Sequence, residues 1–216
     1  MSDTEETEYL SKNSVISNIH KEGAVLLKKK EKEKEKEMLI KSIEVISDLL
    51  NNICEENKYK REVPNMKIQP FTTVNIPSMS IKDYLLRLSQ FTRVNESTII
   101  LILIYIDRIC KMNKFRLNFN NIYKIIICSM IIAIKYNEDN FYSSEVYAKL
   151  GGITVRELNF LEFQFLILIK FSLFVEKELF DKYYDNLISI NEDNNSESDD
   201  DYEEESEKSN DEQKNS

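Results

Sequence analysis

In 216 residues there are only three glycines and three prolines, too little punctuation for a strand-and-turn fold, while 42% apolar residues suffice for a sizeable core. The net charge of -9 is concentrated at one end: residues 189–216 carry 12 acidic side chains and 2 lysines, a net of -10, which leaves the rest near neutral at -9 + 10 = +1. Without a basic excess on its folded part the chain lacks the electrostatic footprint of a nucleic-acid binder, so the composition predicts an all-α protein with no direct nucleic-acid contact.

Residues 1–37 read as a charged extension. The opening MSDTEETEY is acidic, unlike a secretory signal or a mitochondrial presequence. Up to about Leu27 no apolar period is evident, and this stretch is expected to be mostly disordered. Lys28–Glu37, KKKEKEKEKE, can form a solvated helix through Lys/Glu pairs that extends the helix after it.

Residues 38–77 read as a helix and a connector that pack on the main domain. Over Met38–Asn57, Leu39, Ile43, Ile46, Leu50 and Ile53 recur at helical spacing, with Val45 and Leu49 widening the stripe. The connector holds Pro64, Pro70 and Pro77, and its apolar Phe71, Val74 and Ile76 predict that it lies against the core.

Residues 78–188 form the main unit. A first helix is predicted over Ser80–Thr92, with Ser80 as N-cap and Asp83 in the first turn. A second, Asn95–Asn113, is capped by Asn95 and is apolar nearly all round, which predicts the central, most buried helix. A third spans Asn120–Asn137, and a short fourth, Ser143–Leu150, stops at Gly151-Gly152. A fifth, Thr154–Lys170, opens with Thr154 and Glu157 at capping-box spacing and turns Leu158, Leu161, Phe165, Leu168 and Ile169 to one side. A last helix spans Glu176–Ile188. The short links between helices predict a bundle rather than a solenoid.

Residues 189–216 are a polar, acidic tail expected to be disordered. Ser196 and Ser198 each have an acidic residue three places on and are candidate phosphosites for an acidophilic kinase; the plainer reading is a solubilising tail. The longest uncharged apolar run, Ile125–Ile134, has ten residues, too few to span a bilayer. Cys54, Cys110 and Cys128 fall in apolar helical contexts and read as small buried residues of a reducing compartment. His20 is the only histidine, so no metal site is expected, and no cofactor. These features predict an intracellular protein, cytoplasmic or nuclear, without a membrane partner.

Three charges interrupt apolar helix faces, where an unpaired buried charge would cost several kcal/mol. Asp107 lies mid-helix and calls for an internal arginine, Arg87 being the candidate. Lys135 lies in the last turn of its helix and Glu162 in the second or third turn of its own, so the two could meet at one end of the bundle. They form either a bridge that only ties two helices together or a site that holds a partner outside the chain.

Three stretches, LIYIDRI at Leu103–Ile109, AIKYNED at Ala133–Asp139 and YAKLGGITVRELNFLEFQFLILIKFSLFV at Tyr147–Val175, resemble the cyclin box. With IPSMSIKDYLLRL at Ile76–Leu88 they look like the phosphate-system cyclins, the P- or U-type group, of which YAKLGGI followed by ELNFLE is the most specific signature. The likeness runs from about Met38 to Leu187.

The resemblance implies a single cyclin box, a five-helix bundle around a central helix, with flanking N- and C-terminal helices. It implies a regulatory subunit of a cyclin-dependent protein kinase, with no catalytic residue of its own. In cyclins a lysine ending the third helix and a glutamate in the fifth contact backbone groups beside the kinase's mobile αC helix. The matching positions are Lys135 and Glu162, and those lining the groove are Ile132, Tyr136, Leu166 and Phe171. The chain departs from mitotic cyclins in having no tryptophan, no MRxxL or RxxL motif, and too few residues after Leu187 for a second box, 216 − 187 = 29. The alternatives are a cyclin-fold protein of transcription and a helical scaffold that activates no kinase. An enzyme is not expected, because no nucleophile–base pair, metal cluster or Gly-rich phosphate loop is evident.

Since the tail has almost nothing to bury, a chain ending at Ile190 is expected to melt at nearly the same temperature as the full chain. A drop of many degrees in thermal unfolding would show instead that the tail packs on the domain.

Overall fold

Ser, Asn and Thr side chains cap three of the helices where the sequence places them. The computed structural model describes residues 3–60 and 69–190, with side chains described from residue 23 onward. The acidic tail with Ser196 and Ser198, and the Pro64 stretch of the connector, lie outside the described residues. Among the described residues every regular element is a helix. They are α1 (Asp3–Asn57), a 3-10 turn (Gln69–Phe71), α2 (Ile81–Thr92), α3 (Glu96–Asn113), α4 (Ile122–Asn137), α5 (Ser144–Gly151), α6 (Val155–Leu168) and α7 (residues 177–190).

The chain divides into two units, Met1–Met38 and Leu39–Ser216. In the first, α1 is helical from Asp3, where the lack of an apolar period predicts disorder. A helical backbone needs propensity rather than burial, and residues 3–37 hold no proline and a single glycine, Gly23. Lys29 and Glu33 stand 4.0 Å apart at i,i+4 spacing, the weak surface pairing such a sequence supports. The apolar stripe marks the part of α1 that is buried, not the part that is helical.

In the second unit the stripe of α1 does bury: Ile43, Ile46 and Leu50 are at most 1% exposed. Ser42 Oγ donates to Glu96 at 2.5 Å and joins α1 to the first turn of α3. The connector differs from expectation. Phe71 is fully buried, its ring edge-on to Phe165 at 6.2 Å, but Val74 is 94% exposed and Ile76 half exposed. The connector is held instead by polar bonds, Thr73 N–H to Asn120 O at 2.8 Å and Asn120 Nδ2 to Thr73 O at 2.9 Å.

Three of the predicted caps form. Ser80, Asn95 and Thr154 accept from the backbone N–H of Asp83, Thr98 and Glu157 at 3.0, 2.9 and 3.1 Å. At Thr154 the carboxylate of Glu157 goes to Lys124 Nζ, 2.9 Å away, so this end of α6 is tied to α4 as well as capped. Gly152, at φ 69°, closes α5 in the left-handed conformation a side chain would resist.

The helix expected to be central, α3, is buried from Thr98 through Ile106 and again at Ile109. α4 shares that role: it is buried from Ile125 through Ile134 and packs on α2, α3, α5 and α6. All three cysteines are free, with Cys54 and Cys128 in the core and Cys110 half-buried.

Replacing Ile43, Ile46 and Leu50 together by Asp is expected to leave the chain insoluble or strongly destabilised, since each buried side chain contributes about 1.5–3 kcal/mol. An unchanged urea midpoint for a soluble triple variant would mean that this part of α1 contributes nothing to the fold.

Candidate functional site

α4 reaches the surface at its C-terminal end. Its last buried residue is Ile134, and Lys135 follows in the final turn, where a cation suits the helix dipole. The helix stops at Asn137, whose Nδ2 bonds back to Ala133 O at 2.8 Å, and Glu138 N–H closes on Ile134 O. α6 buries Leu158, Leu161, Phe165 and Leu168 and turns Glu162, beside that face, toward the end of α4. Lys135 Nζ lies 2.7 and 2.9 Å from the two carboxylate oxygens of Glu162.

The pair is not sealed in: the side chains are 31% and 15% exposed. Around it the surface is apolar. Ile132, one turn before Lys135, is buried; Leu166, one turn after Glu162, is half-buried; Tyr136 and Phe171 are 50% and 59% exposed. The six residues are thus a charged pair joining the last turn of α4 to the middle of α6, with apolar groups grading from buried to open. Such a surface can give backbone groups of a partner helix a donor and an acceptor while covering its apolar side chains.

Past α6 the backbone is strained. Lys170 and Phe171 both have φ 53°, a conformation that costs a non-glycine residue roughly 1–3 kcal/mol. A further set of apolar side chains escaped the sequence reading. Phe160, Phe163, Ile167 and Phe174 are 50, 55, 45 and 69% exposed. The signal was present, since α6 is apolar on both faces and only one of them can meet the core.

Asp107 is not paired as expected. Tyr183 of α7 donates its hydroxyl to Asp107 Oδ2 at 2.5 Å, and Lys111, one turn on, bridges to the same oxygen at 2.7 Å. Arg87 stands exposed on α2. The correction has a simple cause: Asp107 is 32% exposed, so it needs no internal arginine. Burial first, then the hydrogen bond and charge of Asp107, raises the pKa of the Tyr183 hydroxyl and keeps it a donor.

Burial, with Glu55 and Asp107 as lesser causes, pushes the Cys54 and Cys110 thiols up to about 12, and burial raises Cys128 as well. Among the described residues no group of three or more His, Cys, Asp or Glu could hold a metal ion. No helix among the described residues is long and apolar enough to cross a membrane. A cavity of about 570 Å³ between α1, α3 and α7 is lined by Leu49, Ile53, Leu103, Cys110 and Leu187, and its polar Asp107 and Tyr183 satisfy each other.

Residues 28–173 match the model of the cyclin family. The chain is 35% identical over 148 residues to Cyclin-U2-2 of Arabidopsis thaliana, a match covering 65% of this chain and 64% of that one. It is 33% identical over 163 residues to PHO85 cyclin-like protein psl1 of Schizosaccharomyces pombe, covering 69% and 67%. To PHO85 cyclin-7 of Saccharomyces cerevisiae it is 33% identical over 164 residues, covering 65% and 58%. The matches thus span a little under two thirds of the Arabidopsis relatives Cyclin-U2-2 and Cyclin-U2-1, at 64% and 65% of their length. Asp107, Lys135, Glu162 and Phe171 all fall within the family match.

Because only a thiolate attacks, a thiol near pKa 12 is ionised at pH 8 to about one part in ten thousand. A thiol reagent at pH 8 is therefore expected to react slowly with the native chain and at all three cysteines in denaturant, with native reactivity rising at higher pH. Rapid native labelling at pH 8 would show that the thiols open to solvent.

Proposed function

The chain belongs to the cyclin family, and on that premise we propose that it is a regulatory subunit that binds and activates a cyclin-dependent protein kinase. In this reading the kinase's αC helix docks across the C-terminal end of α4 and the C-terminal half of α6. Lys135 and Glu162 contact its backbone, and Ile132, Tyr136, Leu166 and Phe171 cover its apolar side chains. Docking holds αC inward, so that its glutamate pairs with the lysine that anchors ATP. The chain supplies position, not a reacting group, and works in the cytoplasm or nucleus without touching nucleic acid.

The observation that supports this reading most is the placement of the Lys135–Glu162 pair. A bridge that served only the fold could lie anywhere along two packed helices. This one is partly open to solvent, with exposed aromatic residues beside it. The matched relatives point the same way, two of the yeast proteins being named as PHO85 cyclins or cyclin-like.

Lys135→Ala and Glu162→Ala are each expected to weaken kinase binding by about 2–5 kcal/mol, as when one member of a desolvated interfacial charge pair is removed. That is on the order of 30-fold to several-thousand-fold in Kd. The free chain, whose pair is part-exposed, is expected to lose only about 1–2 kcal/mol of stability. The chain alone should transfer no phosphate, and adding it to its kinase should switch activity on. Large losses of melting temperature with affinity intact would identify the pair as an internal brace. Binding without activation would identify a scaffold.

A further inference from the structure

The link after α6 is held in a way that neither its own sequence nor the core explains. Lys170 and Phe171 are consecutive left-handed residues without a glycine. The segment they open then alternates: Phe171 and Phe174 point out, 59% and 69% exposed, while Leu173 and Val175 are partly buried against the core. A Lys-Phe pair does not adopt this backbone unless its surroundings impose it.

The surroundings are two side chains of α3. Tyr105 Oη donates to Leu173 O at 2.9 Å. The Arg108 guanidinium donates to Ser172 O and, at 3.3 Å from both terminal nitrogens, to Phe174 O. Spaced i, i+3, the two residues share a helix face and hold three successive carbonyls. The Arg108 guanidinium carbon lies 5.9 Å from the centre of the Tyr105 ring. Further back, Asn113 Nδ2 donates to Leu168 O at 3.1 Å, and Phe171 N–H closes on Leu166 O at 2.9 Å. None of these groups lies in the Lys135–Glu162 pair.

We infer that residues 170–174 are a preformed knuckle, held by Tyr105 and Arg108 as positioning residues, that presents Phe171 and Phe174 together as apolar anchors for the same kinase. The inference rests on the docking reading given above and extends it to Phe174, Tyr105 and Arg108. Continuity names the occupant. Phe171 is bonded through its backbone to Leu166, one turn from Glu162, so a kinase helix over that pair meets Phe171 and then Phe174. Holding the knuckle in its bound form before docking removes the loss of freedom that ordering it on binding would carry.

The test uses the full chain and the cyclin-dependent kinase it switches on, with Kd and melting temperature measured for each variant. Phe174→Ala is expected to weaken binding about 10-fold with the melting temperature unchanged. Tyr105→Phe and Arg108→Ala are expected to weaken it about 10-fold each, at a temperature where every variant is fully folded. Lys170→Gly is the control, since glycine accepts the left-handed φ without strain and leaves the bonds from Tyr105 and Arg108 in place. Its melting temperature is expected to stay level or rise and its affinity to stay level. A residue acting through stability alone would move both together. If Lys135→Ala and Glu162→Ala lose binding while Phe174→Ala, Tyr105→Phe and Arg108→Ala bind like the unaltered chain, this inference is overturned and the docking reading stands. If Lys135→Ala and Glu162→Ala bind like the unaltered chain, the docking reading falls and this inference falls with it.

Discussion

A helix apolar on every side is stable only where other helices keep water from all of it. Two such helices, α3 and α4, set the plan of this fold. α3 is buried without a break from Thr98 to Ile106 and α4 from Ile125 to Ile134. With each large apolar side chain contributing about 1.5–3 kcal/mol, no polar bond in the chain rivals that burial. The arrangement also confines charge. Along both helices ionised groups return where water does, at Asp107 and Arg108 on α3 and at Lys135 on α4.

Every charge at that boundary is met by a group distant in sequence. Asp107 takes Tyr183, Arg108 takes the carbonyls after α6, and Lys135 takes Glu162. Thr98, buried at the start of α3, donates to Glu138 just past α4 at 2.6 Å. No buried side-chain nitrogen or oxygen among the described residues lacks a partner. Hydrophobic burial is non-directional and accepts many small displacements. These bonds do not, and they fix which stretches of the helices lie side by side. The proposed docking surface is therefore a product of the same constraint as the core.

What was legible in the sequence follows from whether the signal is local. The caps at Ser80, Asn95 and Thr154 and the stop at Gly152 depend on a few adjacent residues, and all form. The buried stripe of α6 follows from its period. The sequence leaves the Lys135–Glu162 pairing as one of two possibilities, because helix periodicity gives the face of each residue but not which faces meet. The partner of Asp107 was missed for the same reason: Tyr183 lies 76 residues away, on a helix whose packing no local pattern encodes. In Glu157 a local motif lost to a tertiary partner, its carboxylate turning to Lys124. The left-handed Lys170 and Phe171 could not be read at all, since nothing in Lys-Phe favours that backbone.

A bridge formed in the free chain and a docking role for the same two residues are compatible because neither residue is used up by the other. An ammonium has three donors, and Lys135 directs its bonds to the two oxygens of one carboxylate. A carboxylate has about four lone-pair sites, of which Lys135 occupies at most two. What remains is a donor beside an acceptor, the complement of the N–H and C=O groups exposed at a helix end. Pairing within the free chain keeps either charge from standing alone near the core before a partner arrives. In a complex the pair can persist and orient both groups, so a docked partner need not break it. The strained link at Lys170 and Phe171 follows the same logic with backbone instead of charge. The free chain already holds, at its own expense, the geometry in which the proposed partner would find it.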